Sequence, residues 1–234
     1  MQVNRPLLSE FARYLDSLDW QIALLQEAPP RWLEPLGRAT RASGALALTS
    51  RNWLAPLRRA IGARNPDLIA SNEGGSNMVL VRAPGRVEAV QRMELTRDPE
   101  RRTMLLARAR LAEGACLAVA SMHLSVPETG RSAGELLRAA ERAVAFAGGL
   151  PLLLGGDLNL RAAEVPGAFE QVRQRYDLAG PTAPRAIDHL LVRGLAVRSK
   201  PTALKAAARE LREPCGLALR LSDHAPVTAL LGMR

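Results

Sequence analysis

The chain has 234 residues, enough for one good hydrophobic core and few for two, so we predict a single domain over residues 1–234. Hydrophobic residues make up 47% and charged residues 24%, a globular composition that excludes disordered, collagen-like and disulfide-scaffold proteins. Cys116 and Cys215 are the two cysteines, too few for a disulfide framework or a four-cysteine zinc site.

The net charge of +9 indicates some affinity for phosphate-bearing partners. All the Lys+Arg residues except Lys200 and Lys205 are arginine, however, which is as typical of a genome-wide compositional habit as of a ligand site. Aromatic residues, at 3%, offer few rings for stacking single-stranded bases. No apolar run is long enough to cross a bilayer and the N-terminus lacks the features of a signal peptide, so we expect a cytoplasmic protein.

Apolar spacing predicts a helix over residues 6–18, followed by a short buried strand over residues 20–25 that two prolines halt. Further apolar runs predict strands at residues 45–49, 77–81, 104–111, 116–124, 151–154, 187–192 and 227–231. Helical patterns cover residues 131–146 and 168–176. Many strands with few helices favour two packed sheets flanked by helices over a doubly wound parallel sheet.

Polar residues gather in, or at the ends of, the predicted strands, and all three histidines lie within these groups. Catalytic side chains often gather at strand ends because a rigid sheet holds several of them around one point. The groups are Gln26-Glu27, Ser76-Asn77, His123, Asp157-Leu158-Asn159, Asp188-His189 and Ser222-Asp223-His224.

The carboxylates have more than one interpretation when each is taken alone. In an extended segment Asp157 and Asn159 point to the same side, and the preceding Gly155 and Gly156 allow a backbone or a phosphate to approach closely. A turn in which Asp157 and Asn159 bond their own backbone explains these residues equally well. Glu27 follows a buried strand and could bind Mg²⁺ or Mn²⁺, although a capping or surface glutamate is the better interpretation of that residue alone.

The histidines also have catalytic and structural interpretations. Asp223 and His224 lie side by side in a predicted loop, where one could hold a metal and the other bond a phosphoryl oxygen, or where both could belong to a capped, exposed turn. Asp188 could bond the imidazole of His224 and raise its pKa, or form a surface ion pair. His123 could donate to phosphate, but His123 and, still more, His189 fit buried histidines with satisfied partners.

The order of these groups is more specific than any one of them. Leu-Gln-Glu, Ser-Asn-Met-Val-Leu, His-Leu, Gly-Gly-Asp-Leu-Asn, Ile-Asp-His and Ser-Asp-His-Ala-Pro-Val, in that order, resemble the endonuclease/exonuclease/phosphatase superfamily from about Trp20 to the C-terminus. The resemblance implies an α/β class, DNase I-like fold: a four-layer α/β/β/α sandwich, with two mixed β-sheets packed face to face and helices outside. It also implies hydrolysis of phosphoester bonds with one or two divalent ions, usually Mg²⁺.

The resemblance further implies a role in metal binding, in water activation or in positioning for each of four residues. Glu27 would bind metal, and Asp223 would bind or support a metal. Asp157 would orient or deprotonate the attacking water, and Asn159 would position the phosphate or the nucleophile.

The phosphate contacts follow from the same resemblance. His224, paired with Asp188, would stabilise charge on the phosphoryl oxygens, and His123 would be a second phosphate contact. Asn77 precedes an apolar strand at a position where it would help to shape the site.

The chain departs from the family pattern in two places. The family usually opens with a strand that ends in a metal-site asparagine, and here that strand is short, missing or replaced. Asn4 is the candidate for this asparagine, although helix capping before Pro6 is the favoured interpretation. Where abasic-site endonucleases usually carry a lysine, Leu-Gln-Glu is followed by Ala-Pro-Pro, which argues against that repair role.

The leading hypothesis is therefore a Mg²⁺- or Mn²⁺-dependent phosphodiesterase, in particular a nuclease acting on DNA or RNA. A phosphatase or phosphodiesterase for a small or lipid-linked phosphate is the first alternative, and a catalytically silent binding module of the same fold is the second. No protein partner can be inferred. Arginines that could contact a polyanion, or equally form a solvated face, are Arg51, Arg58, Arg59, Arg64, Arg97, Arg101 and Arg102.

Overall fold

A computed structural model describes residues 7–49, 75–98, 100–127, 130–180, 182–212, 216 and 218–234. Its helices are α1 (Leu8–Ser17), α2 (Leu33–Thr40), α3 (Ser132–Ala147) and α4 (Pro166–Tyr176), with 3₁₀ turns at Pro30–Trp32 and Ala206–Arg209. Its strands are β1 (Ile22–Ala28), β2 (Ala42–Leu48), β3 (Ser76–Arg82), β4 (Arg86–Thr96), β5 (Arg102–Arg110), β6 (Cys116–His123), β7 (Leu152–Asp157), β8 (Asp188–Arg193), β9 (Leu195–Ala203), β10 (Glu210–Arg212), β11 (Ala218–Arg220) and β12 (Val227–Met233). Seven residues named above lie outside the described residues: Asn4, Pro6, Arg51, Arg58, Arg59, Arg64 and Cys215.

The described strands form two larger sheets and two strand pairs. The first sheet has the order β1-β3-β2 and is antiparallel, and the second has the order β4-β5-β6-β7-β8. The second sheet is mixed, because β6 and β7 are parallel while its other neighbours are antiparallel. A parallel pair needs a crossover connection, and α3 provides it. β9 pairs with β12, and β10 pairs with β11.

Apolar side chains fill three interfaces between four layers. Residues between the two sheets include Ala45, Val79, Leu105, Val119 and Leu153. The helices α1 and α2 cover the outer face of the first sheet, and α3 and α4 cover the outer face of the second. The predicted four-layer sandwich, with two sheets packed face to face and helices outside, is confirmed. None of the described helices combines the length and the apolar character that crossing a membrane requires.

The glycines at the end of β7 are explained by backbone packing. A Cβ atom on Gly156, where φ is +137°, would lie 1.9 Å from the carbonyl oxygen of Met122 on β6. A Cβ atom on Gly155 would lie 2.8 Å from the carbonyl oxygen of His189 on β8. Close approach of a backbone or of a phosphate was the expected reason for these glycines, and the fold requires the first. Without side chains at these two positions, β7 stays tightly paired with its neighbours up to Asp157.

Replacing Gly156 with alanine should destabilise the protein by about 3 kcal/mol, because the new methyl group collides with rigid backbone and disfavours the native φ. Gly167 in α4 is the matched control, since its Cβ would find no atom within 4 Å. Gly167→Ala should stabilise by about 0.5–1 kcal/mol. Urea unfolding of both variants checks this, and equal midpoints would contradict it.

Candidate active site

Strand pairing places three of the predicted residues side by side at one end of the second sheet. Asp157, the last residue of β7, lies opposite His123 on β6 and opposite Asp188 on β8. Glu27 reaches the same place from the first sheet, with its Oε1 3.8 Å from Nδ1 of His123. His224 reaches it from the loop before β12, with its Nε2 4.0 Å from Oδ2 of Asp157. Both sheets and a loop therefore contribute to one cluster.

A bulge in β1 determines how Glu27 is presented. The pairing of β1 with β3 shifts register between Leu25 and Ala28, and Glu27 has a φ of +55°. A bulge turns the local backbone, and a left-handed conformation is uncommon for a residue with a side chain. The glutamate side chain is consequently 47% exposed although it lies within a strand.

Asp157 is the buried carboxylate of the cluster, with 7% of its surface exposed. Its Oδ1 accepts the backbone N–H of Asn159 at 3.0 Å. Its Oδ2 lies 3.5 Å from Nε2 of His123 and 4.0 Å from Nε2 of His224. One oxygen is thus fixed by the backbone, while the other faces two imidazoles.

The pKa of Asp157 is raised to about 6, chiefly because burial disfavours the charged form. The negative charges of Asp188 and Glu27 raise it further, whereas the hydrogen bond from Asn159 and the charge of His224 lower it. A carboxyl group with this pKa is largely ionised at neutral pH and can still accept a proton.

His224 is held as a cation by Asp188. Its Nδ1 donates to the Asp188 carboxylate, at 2.9 Å from Oδ2 and 3.1 Å from Oδ1. This hydrogen bond raises the pKa of His224 to about 9, with further contributions from the charges of Asp188, Asp157 and Asp223. At neutral pH the ring is an imidazolium whose Nε2–H is directed to the side of Asp157.

Asn159 differs from the geometry expected for an extended segment. Its φ is +50°, so the chain leaves the strand before this residue, and its backbone N–H closes a turn onto Asp157. The expectation that Asp157 and Asn159 point together as alternate residues of a strand is therefore wrong. The turn interpretation describes the backbone, and it still leaves both residues in the cluster. The Asn159 amide donates to the carbonyl oxygen of Leu124 at 3.1 Å.

Asp223 lies beside the cluster on the loop that carries His224. Its side chain is exposed, and its backbone carbonyl oxygen accepts hydrogen bonds from Arg209 Nη1 at 2.8 Å and Arg220 Nη2 at 2.9 Å. The backbone N–H of His224 donates to Ser222 Oγ at 3.1 Å. These contacts fix the loop without using the Asp223 carboxylate.

Two other predicted residues have structural contacts. His189 is buried, accepts the backbone N–H of Thr182 at Nδ1 and donates from Nε2 to the carbonyl oxygen of Leu160, so both ring nitrogens are satisfied. Burial lowers its pKa. Asn77 is fully buried and its amide donates to the carbonyl oxygen of Thr103 at 2.7 Å, which joins the two sheets behind the cluster.

A groove of about 1070 Å³ runs from the cluster between β1 and β12. The groove is lined along both strands, and at one end by Glu27, His123, Asp157, Asn159, Asp188, Asp223 and His224. β1 pairs only with β3, and β12 only with β9, among the described residues. No strand precedes β1 in the described part of the chain, which begins at residue 7.

The donor chemistry of the groove fits a hard divalent cation. Within the described residues, Asp157, Asp188 and His224 form a group whose ligand atoms lie within 4.8 Å of one another. We attribute this closeness to the hydrogen-bonded Asp188–His224 pair, because an imidazolium has no free lone pair for a metal. Glu27 and Asp223 carry exposed carboxylates facing the same groove, and carboxylate oxygens are the ligands that Mg²⁺ and Mn²⁺ prefer.

This architecture and cluster define a DNase I-like α/β sandwich with a site at one end of its sheets. The chain belongs to the Endonuclease/Exonuclease/phosphatase family, whose sequence profile matches residues 3–224. A comparison with curated proteins found no match.

Solved structures with the same fold include proteins from two organisms. An endonuclease/exonuclease/phosphatase family protein from Bacteroides thetaiotaomicron has a TM-score of 0.70 at 15% identity, over 97% of this chain and 89% of that one. A mannosyl-6-phosphatase from the same organism has a TM-score of 0.69 at 14% identity, over 96% and 90%. TDP2 from D. rerio, complexed with a single-strand DNA product, has a TM-score of 0.63 at 15% identity, over 97% and 94%.

The Asp188–His224 bond predicts a titration that NMR can follow. The His224 ring should titrate with a pKa of about 9, and Asp188→Asn should bring this pKa down towards the ordinary value of about 6.5. Since the folded-state pKa is the higher one, the stabilising effect of the bond is complete below about pH 6.5 and is lost as the pH rises through about 9. Asp223→Asn is the control and should lower the pKa less. A midpoint near 9 in Asp188→Asn would refute the assignment.

The buried charge of Asp157 predicts a stabilising substitution. Its folded-state pKa of about 6 exceeds the ordinary 3.8, so ionisation costs the folded state stability as the pH rises between these values. Asp157→Asn should therefore raise the free energy of unfolding by about 2 kcal/mol at pH 8 and by little at pH 4. Urea unfolding at both pH values checks this. Glu113→Gln, on an exposed turn, is the control and should show no such pH-dependent gain.

Proposed function

We propose that the chain folds as one domain over residues 1–234 and is a divalent-metal-dependent phosphoester hydrolase that acts on phosphodiesters. The observation that carries the proposal is that one cluster holds both a proton acceptor and a cationic side chain. Asp157 is a proton acceptor with a pKa of about 6, and His224, held by Asp188, is a cation at neutral pH. Hydrolysis of a phosphodiester needs both, because water must lose a proton while negative charge on the phosphoryl oxygens is stabilised.

Asp157 acts as the general base in this proposal. The backbone N–H of Asn159 holds Oδ1 at 3.0 Å, which leaves Oδ2 to accept a proton from the attacking water. Asn159 lines the groove beside it and orients the water or the phosphate. A pKa near 6 suits the role, since the group is mostly ionised at pH 7 and basic enough to take the proton.

The imidazoles bind the phosphate. Nδ1 of His224 is occupied by Asp188, so Nε2–H is the atom that donates to a phosphoryl oxygen. Nε2 of His123 lies 3.5 Å from the same Asp157 oxygen that His224 approaches at 4.0 Å. A phosphate bound between the two rings would therefore lie beside the base.

Glu27 and Asp223 would hold the divalent ion, Mg²⁺ or Mn²⁺. Support comes from their exposed carboxylates at the groove and from the left-handed backbone that turns Glu27 out of β1. When bound, such an ion supplies positive charge that stabilises the phosphoryl and leaving oxygens.

A second candidate substrate is a small or lipid-linked phosphate, and the ion pairs of two candidate arginines favour it. Arg97 pairs with Glu94 at 2.5 Å, and Arg102 pairs with Glu100 at 2.8 Å. These two arginines were candidates for contacting a polyanion, and their ion pairs make them less available to the phosphates of a long nucleic acid. The similar structures named above include both a phosphatase and a protein with bound DNA product, so they support the chemistry without choosing the substrate.

The proposal is tested by turnover with the purified 234-residue chain in Mg²⁺, Mn²⁺ or EDTA. Substrates are bis(p-nitrophenyl) phosphate, plasmid DNA, RNA and an inositol phosphate. We expect metal-dependent cleavage that EDTA abolishes, and Asp157→Ala or His224→Ala should each reduce the rate by about 10²–10⁴-fold. Glu113→Ala, which removes a carboxylate from the exposed turn between β5 and β6, should leave the rate unchanged.

The outcomes separate the candidate functions. Cleavage of DNA or RNA that both substitutions remove supports a nuclease, and turnover confined to the inositol phosphate supports the second candidate. Turnover that survives Asp157→Ala would refute the assigned base. Absence of metal-dependent turnover on every substrate would refute the hydrolase and favour a silent binding module.

A further inference from the structure

A buried carboxylate on α3 contacts the loop that follows His123. Glu135 is completely buried, and its Oε2 accepts the backbone N–H of Ser125 at 2.8 Å. Its Oε1 accepts the Ser125 hydroxyl at 2.7 Å. The hydroxyl of Ser132 donates to the carbonyl oxygen of Ser125 at 2.6 Å. The first turns of α3 therefore fix Ser125 through three hydrogen bonds that water does not reach.

The peptide group between Leu124 and Ser125 joins this contact to the candidate site. A peptide group is planar, so its N–H and C=O cannot rotate independently. Here Glu135 binds the N–H, and the C=O accepts the side-chain amide of Asn159 at 3.1 Å. A carboxylate on the N–H also polarises the group, which strengthens the carbonyl as an acceptor.

The orientation of the Asn159 amide depends on this carbonyl. A carbonyl can only accept, so the amide must present its nitrogen to Leu124, and its oxygen is left for the groove. The backbone N–H of Asn159 simultaneously holds Asp157 Oδ1 at 3.0 Å. The backbone N–H of Leu124 donates to the carbonyl oxygen of Asp157 at 2.9 Å. The Leu124–Ser125 segment is thus bonded to the site on one side and to α3 on the other.

We propose that Glu135 is a positioning residue for the site, which sets the orientation of Asn159 through the Leu124–Ser125 peptide group. This inference rests on the proposed function, in which Asn159 orients the water or the phosphate. Glu135 touches no substrate, because α3 and the loop separate it from the groove. Its effect is on rate, through the geometry of Asn159 and Asp157.

The alternative is that Glu135 merely caps α3. Ser132 and Glu135 have the spacing of a capping box, in which these side chains would bond backbone N–H groups at the start of their own helix. Instead, both side chains bond Ser125, and the residue before the helix, Arg131, makes no side-chain capping bond. Ser132 and Glu135 therefore join the helix to the loop instead of capping the helix.

The test compares Glu135→Ala with Glu135→Gln. Alanine leaves the Ser125 donors without an acceptor, and we expect the rate constant kcat to fall roughly 10- to 100-fold, the range for partners that orient site residues, with little change in KM. Glutamine can still accept the Ser125 N–H and donate to the hydroxyl, so it should restore most of the rate.

A second readout follows Asn159 directly and needs no turnover. In ¹⁵N-labelled protein, the side-chain amide resonances of Asn159 are assigned by their loss in Asn159→Asp. Glu135→Ala should shift them towards the values of a free amide, and Glu135→Gln should leave them near the native values. If the native protein hydrolyses no substrate, the proposed function fails while these resonances still decide whether Glu135 orients Asn159.

Leu136→Ala is the control for a loss of stability alone. Leu136 is fully buried on the same helix, and the substitution should destabilise the protein, whereas the kcat of the folded fraction and the Asn159 resonances should stay native. The positioning role is refuted if Glu135→Ala leaves the Asn159 resonances in place. It is equally refuted if Leu136→Ala moves them as far, because the effect is then one of general stability.

Discussion

The buried negative charge of Asp157 is the constraint on which the arrangement of the site depends. Asp157 has 7% of its surface exposed and has Asp188 and Glu27 as negative neighbours, so its ionisation is opposed by burial and by like charge. The hydrogen bond from Asn159 and the charge of His224 offset part of this cost. Removal of either compensating group would leave a carboxyl group that stays protonated to higher pH and is a poorer proton acceptor under neutral conditions.

Asp188 affects the pKa of both neighbouring groups in this cluster, Asp157 and His224. Its charge raises the pKa of Asp157, and its hydrogen bond is the largest cause of the raised pKa of His224. The site can thus hold a proton acceptor and a cation side by side over the range between about pH 6 and 9. Strand pairing keeps Asp157 opposite Asp188, so the tight packing at Gly156 matters for the arrangement of the site as well as for stability.

Most of the fold could be predicted from the sequence because its central strands are buried on both faces. β3, β6 and β7 have nearly continuous apolar residues, and each was predicted within a few residues of its bounds. The strand β4 was missed because it is the edge of its sheet and carries exposed polar residues such as Arg86 and Gln91. The helix α2 was missed because it contains Pro35 and Gly37, which lower helix propensity but are tolerated in a short helix packed on the first sheet.

The sequence predicted which residues belong to the candidate site better than it predicted their backbone conformation or the contacts that support them. Polar residues at strand ends indicated Asp157 and Asp188, because pairing of neighbouring strands brings such ends together. His224 comes from the loop before β12, and its place in the cluster followed from the order of the motifs. Backbone conformation was only partly predictable: the turn at Asn159 was one of the two interpretations of that segment, whereas nothing in the sequence indicated the positive φ of Glu27 in the bulge of β1. Glu135 was not predicted as a site residue, because its local sequence pattern indicates a different, purely structural role. Its spacing from Ser132 indicates a helix cap, and only the packing of α3 against the loop after β6 gives the same two side chains a contact that reaches the site.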